Sequence, residues 1–588
     1  MSRAVSRFLP AAALSFLSIV SSPAQPAEDR RLQDFFRSYL EDNFRRQPTA
    51  ATALGDHRYD ARLDDISPAA RAGWDELARR TLDELPRAVD FQRLSRDGQI
   101  DFEVLRNELA FQLWTATQLR PFETDPRTYG RYLNDSVYAL VAQSTAPKET
   151  NVANTLARLA EMPRILAEAR RSLTRPAAPV LETAIRQNLG AIAFYESELL
   201  SYVGQTPRRD ELAEAAAKVA DALREHQTFL ESLRERSDPE WRLGRDRFAE
   251  KFAFEIGAAV TPEQNLADAE AEFTRVHQEL HVIARQLWPR YFPDRVPPPD
   301  DPAGRLELVR AVTGEVNREH PDAAGLLTAV RATVADLKTF ITKHGYLRLP
   351  EPDRCSIIEM PEFRRGNSLA YMENSPPLDP EGPSYYAVSP PPADWTEEQK
   401  RSFLEEYNGH MLKILTLHEA YPGHYVQLEY ANRHPSLIRR VLQSGSYIEG
   451  WAVYNEVSML DAGYGEGDLR LRLMQLKFYL RAVVNSILDY KMHCTAMSDD
   501  EAMRLLVDGA FQSEGEAKLK VIRAKQSSVQ LSTYFVGRMA HYRLRQSIQR
   551  ELGDAFDLGR YHEAVLGIGS VPPKYMPELI RLRLAQPR

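Results

Sequence analysis

Apolar residues recur every three or four positions along most of the chain, which is the spacing of one face of an α-helix. The clearest runs are Asn151–Leu173, Leu181–Val203 and Asp210–Arg234. Helix-start signals accompany them. In the run Thr261–Gln264, a threonine cap precedes a proline at the first helical position and a glutamine at the third. The pattern predicts a helical scaffold over residues 25–344.

The pattern changes between residues 345 and 395, where proline becomes dense. Short runs rich in β-branched and aromatic residues occur at Cys355–Met360, Ser368–Glu373 and Ser384–Ser389, separated by turn residues. Helical spacing resumes at Thr396, which has Gln399 three positions later. The predicted fold class is therefore mainly α, with a small β-sheet near residues 355–389.

Length and composition narrow the class of protein. A chain of 588 residues exceeds one compact core, so two or more lobes are expected. Its net charge of −8 and the lack of a long basic run argue against nucleic-acid binding. The two cysteines, Cys355 and Cys494, are too few for a metal cluster, and the sequence does not decide whether they pair.

The first residues have the pattern of an export signal. Arg3 and Arg7 precede the mostly apolar stretch Phe8–Val20, and small residues allow cleavage after Ala24. This apolar stretch is too short to span a bilayer comfortably, and no later apolar stretch is long enough to span one. No cysteine follows it to carry a lipid anchor. Residues 1–24 are therefore predicted to be a signal peptide, and the mature protein to be periplasmic or secreted without a membrane span.

The strongest candidates for metal-binding and catalytic residues are in the segment Leu417–Gln427, which contains His418, Glu419 and His424. In the common zinc-peptidase motif, two histidines lie four residues apart on one helical face. Here they are six residues apart. A straight helix would place them roughly 120° apart around the axis and about 9 Å apart along it. A straight helix therefore could not direct both imidazoles at one ion.

Pro422 and Gly423 lie between the two histidines. Proline cannot donate to the carbonyl of His418 and its ring clashes there, while glycine adopts backbone angles that other residues avoid. We therefore expect the helix to bend between Tyr421 and His424, which would let both histidines reach one metal ion. The alternative is two core histidines on either side of an ordinary turn.

A catalytic zinc ion usually has three protein ligands and one open position. Glu449, 25 residues after His424, is the best third ligand, since the separation allows one helix, a turn and the start of the next. It lies in a mostly apolar stretch where an unpaired carboxylate would be costly; the alternative is a surface residue near a turn. Glu456 shares its helical face and is either a supporting contact or an alternative ligand. Glu419 is predicted to be the general base.

These segments resemble a known family. His418–Gln427 and Glu449–Ala452 are similar to the hallmarks of the bacterial "domain of unknown function 885" family, which itself resembles the gluzincin metallopeptidases. The resemblance covers most of the mature chain and is most specific over about residues 384–580. It implies a hydrolase with a two-lobed helical fold and a deep central cleft. The chain departs from many members at Tyr425, where they have a second histidine, and at Lys491, where they have glycine.

Five residues downstream are further candidates. Asp489 and His493 are four apart on one predicted helix, where they can form a hydrogen bond that orients the imidazole toward substrate. Tyr534 is a candidate donor to the oxyanion, and Arg543 and Arg545 are candidates to hold a peptide carboxylate. The alternatives are a structural polar pair, a packed aromatic and ordinary surface arginines.

Together these observations predict an exported hydrolase with one Zn²⁺ ion held by His418, His424 and Glu449, acting on oligopeptides. The strand at 368–373 could hold an extended substrate at its edge, or be a surface hairpin. Residues 25–588 would form one metallohydrolase domain, with a scaffold lobe at 25–344, the sheet and proline-rich loop at 345–395, and a catalytic lobe at 396–588. The alternatives are a metal-dependent esterase or amidase and a catalytically silent periplasmic binding protein.

Overall fold

The computed structural model describes residues 27–360, 370–391 and 395–586. The fold is mainly α, as predicted, with 74% helix, 3% strand and one three-stranded sheet. Before the sheet the α-helices are Ala27–Arg46 (α1), Pro48–Leu54 (α2), Pro68–Ala88 (α3), Arg96–Trp114 (α4), Pro121–Thr124 (α5), Ser136–Tyr138 (α6), Lys148–Ser172 (α7), Ala178–Ala193 (α8), Leu199–Val203 (α9), Arg209–Ser232 (α10), Arg245–Ile256 (α11), Pro262–Tyr291 (α12), Pro302–Asn317 (α13) and Leu326–Lys343 (α14).

After the sheet the α-helices are Glu397–Glu406 (α15), Gly409–Glu419 (α16), His424–Asn432 (α17), Leu437–Val441 (α18), Gly445–Asp461 (α19), Leu469–Cys494 (α20), Asp499–Arg504 (α21), Glu514–Gln526 (α22), Ser532–Leu552 (α23), Leu558–Gly567 (α24) and Met576–Ala585 (α25). Helix α19, in the middle of this half, contacts α16, α17, α20 and α23. The predicted ligand Glu449 therefore lies on a helix that is surrounded by other helices.

The predicted helix starts are confirmed at atomic detail. The side chains of Thr261 and Thr396 each accept a hydrogen bond from the backbone N–H of the third helical residue, a glutamine. The side-chain oxygen of that glutamine in turn accepts one from the backbone N–H of the threonine. The helical run that follows Thr396 is divided at Asn408. Its side chain accepts from the backbone of His410 and Met411 and so begins α16 as a separate helix.

The buried apolar residues form one large cluster, a second cluster between Leu63 and Leu233, and a small third cluster around Phe248 and Phe252. The large cluster combines α1–α4 and α12–α14 with the sheet and the helices after it. The second cluster is made mainly by α7, α8 and α10. The predicted division of the chain at residues 344 and 395 stays a prediction.

The sheet has the order β1-β3-β2, with strands Cys355–Glu359 (β1), Ala370–Glu373 (β2) and Ser384–Val388 (β3). β1 runs parallel and β2 antiparallel to β3, so β2 is an edge strand. All three predicted strands are present; the first two residues of the predicted second strand, 368 and 369, lie outside the described residues. The hydroxyl oxygens of Tyr386 on β3 and Thr416 on α16 are 3.2 Å apart, which ties the sheet to the helix that carries His418.

Cys355 on β1 and Cys494 at the end of α20 are both free thiols, which resolves the pairing question. Burial raises the pKa of each thiol to about 12. Among the helices that the structure describes, none combines the length and the apolar character needed to cross a membrane.

Candidate metal centre

The break predicted at Pro422 and Gly423 is present. Helix α16 ends at Glu419 and α17 begins at His424, and the Tyr421–Pro422 peptide bond between them is cis. Gly423 packs directly against the end of α16, where an added Cβ would lie 1.8 Å from the carbonyl oxygen of His418. Only glycine fits this approach, because any side chain would collide with backbone.

The indole of Trp451 holds this turn from the other side. Its Nε1 donates to the carbonyl oxygen of Pro422 over 2.9 Å, and its side chain is fully buried. Trp451 lies on α19, two residues after Glu449. The turn between the two histidines is therefore fixed to the helix that carries the third predicted ligand.

The three predicted metal ligands come together. Glu449 Oε2 lies 3.7 Å from His418 Nε2 and 3.5 Å from His424 Nε2, and the candidate ligand atoms are all within 4.8 Å of one another. Ligands bound tetrahedrally at about 2.1 Å from one zinc ion would be about 3.4 Å apart. The two separations from Glu449 Oε2, 3.7 and 3.5 Å, are close to that value.

The electrostatics of the three side chains also fit a cation. Glu449 Oε2 is a buried atom without a hydrogen-bond partner, which is costly for a carboxylate unless a cation satisfies it. Burial and the charge of His424 lower the pKa of His418 to about 3, so its imidazole is neutral, the form that binds metal. Burial alone would raise the pKa of Glu449, but His424, whose Nε2 lies 3.5 Å from Oε2, has the larger effect, and the pKa is lowered.

Glu456 settles the orientation of the first histidine. Its Oε1 lies 2.8 Å from His418 Nδ1, which leaves His418 Nε2 facing Glu449. Of the two roles considered for Glu456, the structure therefore supports the contact behind the ligand rather than the ligand itself. Such carboxylate–histidine contacts fix the ring and raise its basicity toward a metal.

A close crossing of two helices sets the position of Glu449. α19 and α23 meet at Gly450 and Gly537, where a Cβ on Gly537 would lie 1.9 Å from the carbonyl oxygen of Ser446. A Cβ on Gly450 would lie 2.3 Å from the backbone carbon of Gly537. The two backbones are in contact because neither residue has a side chain.

Glu419 lies beside the ligands, at the end of α16. A hydrogen bond from the backbone of Met372 reaches its carboxylate, so the edge strand β2 adjoins this residue. Burial raises the pKa of Glu419 to about 7, with a smaller contribution from the negative charge of Glu449. A carboxyl group with a pKa near neutrality is suited to accept and return a proton.

Tyr534, at the start of α23, is close enough to Glu449 to be affected by its charge. Burial and that charge raise the pKa of Tyr534 to about 12, so its hydroxyl keeps its proton. The hydroxyl oxygen accepts a hydrogen bond from Arg523 Nη2 over 3.1 Å. Arg523, on α22, was not among the predicted residues, because a basic residue on a mixed helix gives no signal of its partner in space.

His493 and Asp489 do not form the hydrogen bond that their spacing allows. His493 Nε2 donates to the carbonyl oxygen of Ala524 over 2.8 Å, and its Nδ1 accepts from the backbone of Leu243. Asp489 accepts from the backbone N–H groups of Val529 and Ser532. Backbone groups of neighbouring elements thus engage the polar atoms of both side chains, and the predicted catalytic and substrate-binding roles stay predictions.

The two predicted substrate-binding arginines also have other partners. Arg543 is exposed and forms an ion pair of 2.8 Å with Asp268. Arg545 donates to the hydroxyl of Ser458 over 3.3 Å. Relative to Tyr534, Arg543 is rotated by about 180° and Arg545 lies about 16 Å farther along the helix. The helical period thus explains why neither arginine joins Tyr534.

A cavity of about 1310 Å³ lies beside these elements. Its lining includes Tyr371 of β2, Lys520 and Arg523 of α22, and the arginines Arg127 and Arg186. The metal ligands are not in its wall; the connection to them is Arg523, through its bond to Tyr534. The predicted deep cleft between two lobes stays a prediction.

Comparison with known proteins gives a family and a fold. The family described as "Bacterial protein of unknown function (DUF885)" matches residues 48–580. A Shewanella oneidensis structure described as a "putative lipoprotein of unknown function" is 30% identical, with a TM-score of 0.79, covering 94% of this chain and 99% of its own. A "putative lipoprotein" from Colwellia psychrerythraea is 17% identical, with a TM-score of 0.77 and coverages of 95% and 99%, and shows the same fold. No curated protein matches.

Proposed function

The chain belongs to the bacterial family of unknown function DUF885, and we propose that this member is an exported, gluzincin-like zinc metallopeptidase that cleaves oligopeptides. The observation that carries the proposal is the approach of His418, His424 and Glu449 to within 4.8 Å of one another, with Glu419 beside the first ligand. Two imidazoles and a carboxylate with one open position are a ligand set typical of catalytic zinc.

His418 Nε2, His424 Nε2 and Glu449 Oε2 would hold the ion. Bound there, zinc would supply Lewis-acid chemistry, polarising a carbonyl and lowering the pKa of water. Glu456 would keep the His418 ring in its binding orientation through the 2.8 Å contact with Nδ1. The turn fixed by Gly423 and Trp451 would hold both histidines in place before the metal arrives.

Glu419 would carry the proton in the reaction. Its carboxylate would take a proton from the attacking water and give it to the nitrogen of the leaving amine, so that one residue acts first as base and then as acid. The pKa of about 7 caused by burial supports this role, because the group must both accept and release a proton near neutral pH.

Tyr534 and Arg523 would stabilise the negative charge that develops on the carbonyl oxygen. The protonated hydroxyl of Tyr534 is a hydrogen-bond donor, and Arg523, in contact with it, adds a positive charge. Donors of this kind, aligned before the reaction, contribute about 3–4 kcal/mol each in other hydrolases.

The edge strand β2 would align the substrate. Its Met372 backbone already reaches Glu419, so a peptide pairing with the outer edge of β2 would pass close to the general base. The predicted central cleft would then be the space between β2 and the helices that face it. The predicted signal peptide would export the enzyme, which would then act in the periplasm or outside the cell.

The test combines metal content with turnover. The purified protein should contain one zinc ion per chain by elemental analysis and should cleave a peptide library in a chelator-sensitive manner. Glu419→Gln should keep the zinc and lose turnover by a factor of about 10² to 10⁴, because the shape is preserved and only the proton acceptor is removed. Glu398→Gln, the same change on the exposed surface of α15, is the matched control and should retain full activity.

Three results would overturn parts of this proposal. Full activity in Glu419→Gln would remove the general base. Cleavage of an ester library with no cleavage of peptides would replace the peptidase by an esterase. A purified protein that contains no metal and shows no chelator-sensitive activity would favour a non-enzymatic binding protein.

A further inference from the structure

Helix α22 presents two cations to the cavity. Lys520 and Arg523 are three residues apart, so they lie on the same helical face, and both are in the cavity wall. Within the part of the chain that the structure describes, Lys520 has neither an ion pair nor a hydrogen bond. Other lysines of α22 are paired: Lys518 with Glu514, and Lys525 with Asp499.

The acidic residue nearest to Lys520 in sequence has other direct partners. Glu516, one turn earlier, lies 3.6 Å from Arg481 and accepts a hydrogen bond from the hydroxyl of Tyr407. Burial, together with the positive charges of Arg523 and Arg481, lowers the pKa of Lys520 to about 7. The negative charges of Glu516 and Glu449 offset this lowering only in part, and neither carboxylate forms an ion pair with Lys520.

Arg523 has free donors at the same place. Its Nη2 atom bonds both Gln530 and Tyr534, while among the described residues Nε and Nη1 have no hydrogen-bond partner. A guanidinium has five N–H donors in a fixed plane, a geometry that matches a carboxylate. Arg523 thus connects the cavity to Tyr534, and Tyr371 places the strand β2 at the same cavity.

We propose that Lys520 and Arg523 form a subsite for a carboxylate of the substrate, so that the preferred substrates are short peptides carrying a free carboxylate close to the scissile bond. This inference rests on the proposed peptidase function and names its substrate class. The cavity, at about 1310 Å³, is large enough for a short peptide. The carboxylate could come from the C-terminus or from an acidic side chain.

The test uses three forms of one cleavable peptide: the C-terminal acid, its C-terminal amide, and the amide with one residue replaced by glutamate. We expect wild-type kcat/KM to be about 10- to 100-fold higher for a carboxylate-bearing form than for the plain amide. A hydrogen bond to a charged group typically strengthens binding by about that factor. Preference for the acid assigns the C-terminus, and preference for the glutamate form assigns a side chain.

Variants of α22 decide which residue is responsible. In Lys520→Met the preference for the carboxylate-bearing form should fall about tenfold or more, and Lys520→Arg should restore it, because only the charge matters. Lys518→Met, the same substitution on the exposed side of the helix, should keep the wild-type preference. An unchanged melting temperature shows that each variant is folded. Equal kcat/KM for all three peptides, or a preference that survives Lys520→Met, would overturn the subsite.

A binding measurement separates this inference from the proposed function. If the wild type cleaves no peptide, the peptidase proposal fails on its own. Calorimetric titration with an N-acetyl dipeptide acid and its amide then tests the subsite directly. Tighter binding of the acid, lost in Lys520→Met and kept in Lys518→Met, supports the subsite; equal affinities for acid and amide overturn it.

Discussion

The crossing of α19 and α23 allows a sharp test of how packing positions the metal ligands. In Gly537→Ala the new methyl group would lie 1.9 Å from the carbonyl oxygen of Ser446 and 2.7 Å from Cα of Gly450. Both contacts are with backbone, so no side chain can rotate away. The two helices must separate by about 1 Å or more before the contacts become normal.

The expected cost follows from two opposing effects. Alanine in a helix is more favourable than glycine by about 1 kcal/mol. Overpacking of a tight core costs about 1–3 kcal/mol, and a clash with backbone belongs at the upper end. We therefore expect a net loss of about 1–2 kcal/mol in the free energy of unfolding.

The same displacement should weaken the metal site. Glu449 adjoins Gly450, and metal–ligand distances tolerate only about 0.2 Å. A movement of α19 by about 1 Å should lower zinc affinity about 10- to 100-fold. Substitutions of residues that hold a metal ligand in position typically have an effect of that size. Chemical denaturation and zinc titration against a chelating dye measure the two effects.

Gly190→Ala is the control, since Gly190 is also helical and has open space where its Cβ would be. It should raise the free energy of unfolding by up to about 1 kcal/mol and leave zinc affinity unchanged. Wild-type zinc affinity in a folded Gly537→Ala protein would refute the claim that this crossing positions Glu449.

Two further predictions concern Glu456 and the buried histidine His226. Glu456→Ala should lower zinc affinity about tenfold or more, because His418 Nδ1 loses the oxygen that lies 2.8 Å from it and orients the ring. Unchanged affinity in the dye titration would count against that contact. Burial lowers the pKa of His226 to about 4, so the unfolded chain binds a proton between about pH 6.5 and pH 4 that the native state does not. The free energy of unfolding is therefore highest above about pH 6.5 and falls as the pH decreases, by up to about 3 kcal/mol for this residue. In His226→Leu, thermal melts should show a smaller fall in stability over the same pH range. A pH profile identical to that of the wild type would exclude His226 as a cause.

The features that the sequence predicted well are those with local causes. Thr261 and Thr396 begin helices because a cap and its partner lie within four residues. The three strands follow from the side-chain types within each run. The break before His424 follows from proline and glycine alone, and it made the six-residue spacing compatible with one ion.

The contacts that the sequence did not predict are between elements distant in sequence. The spacing of Asp489 and His493 indicated a shared helical face correctly, but not that Ala524, Val529 and Ser532 would occupy their polar groups. Arg523 reaches Tyr534 only because α22 and α23 come together, which no spacing rule predicts. The proposed carboxylate subsite on α22 was therefore not predicted from the sequence.

The central claim is that His418, His424 and Glu449 bind one metal ion. Diffraction from crystals of the zinc-loaded protein, measured on both sides of the zinc absorption edge, tests it most directly. We predict one anomalous peak about 2.0–2.2 Å from His418 Nε2, His424 Nε2 and Glu449 Oε2. The peak should be lost in His418→Ala. A zinc-loaded crystal without a peak between these three atoms would contradict the account.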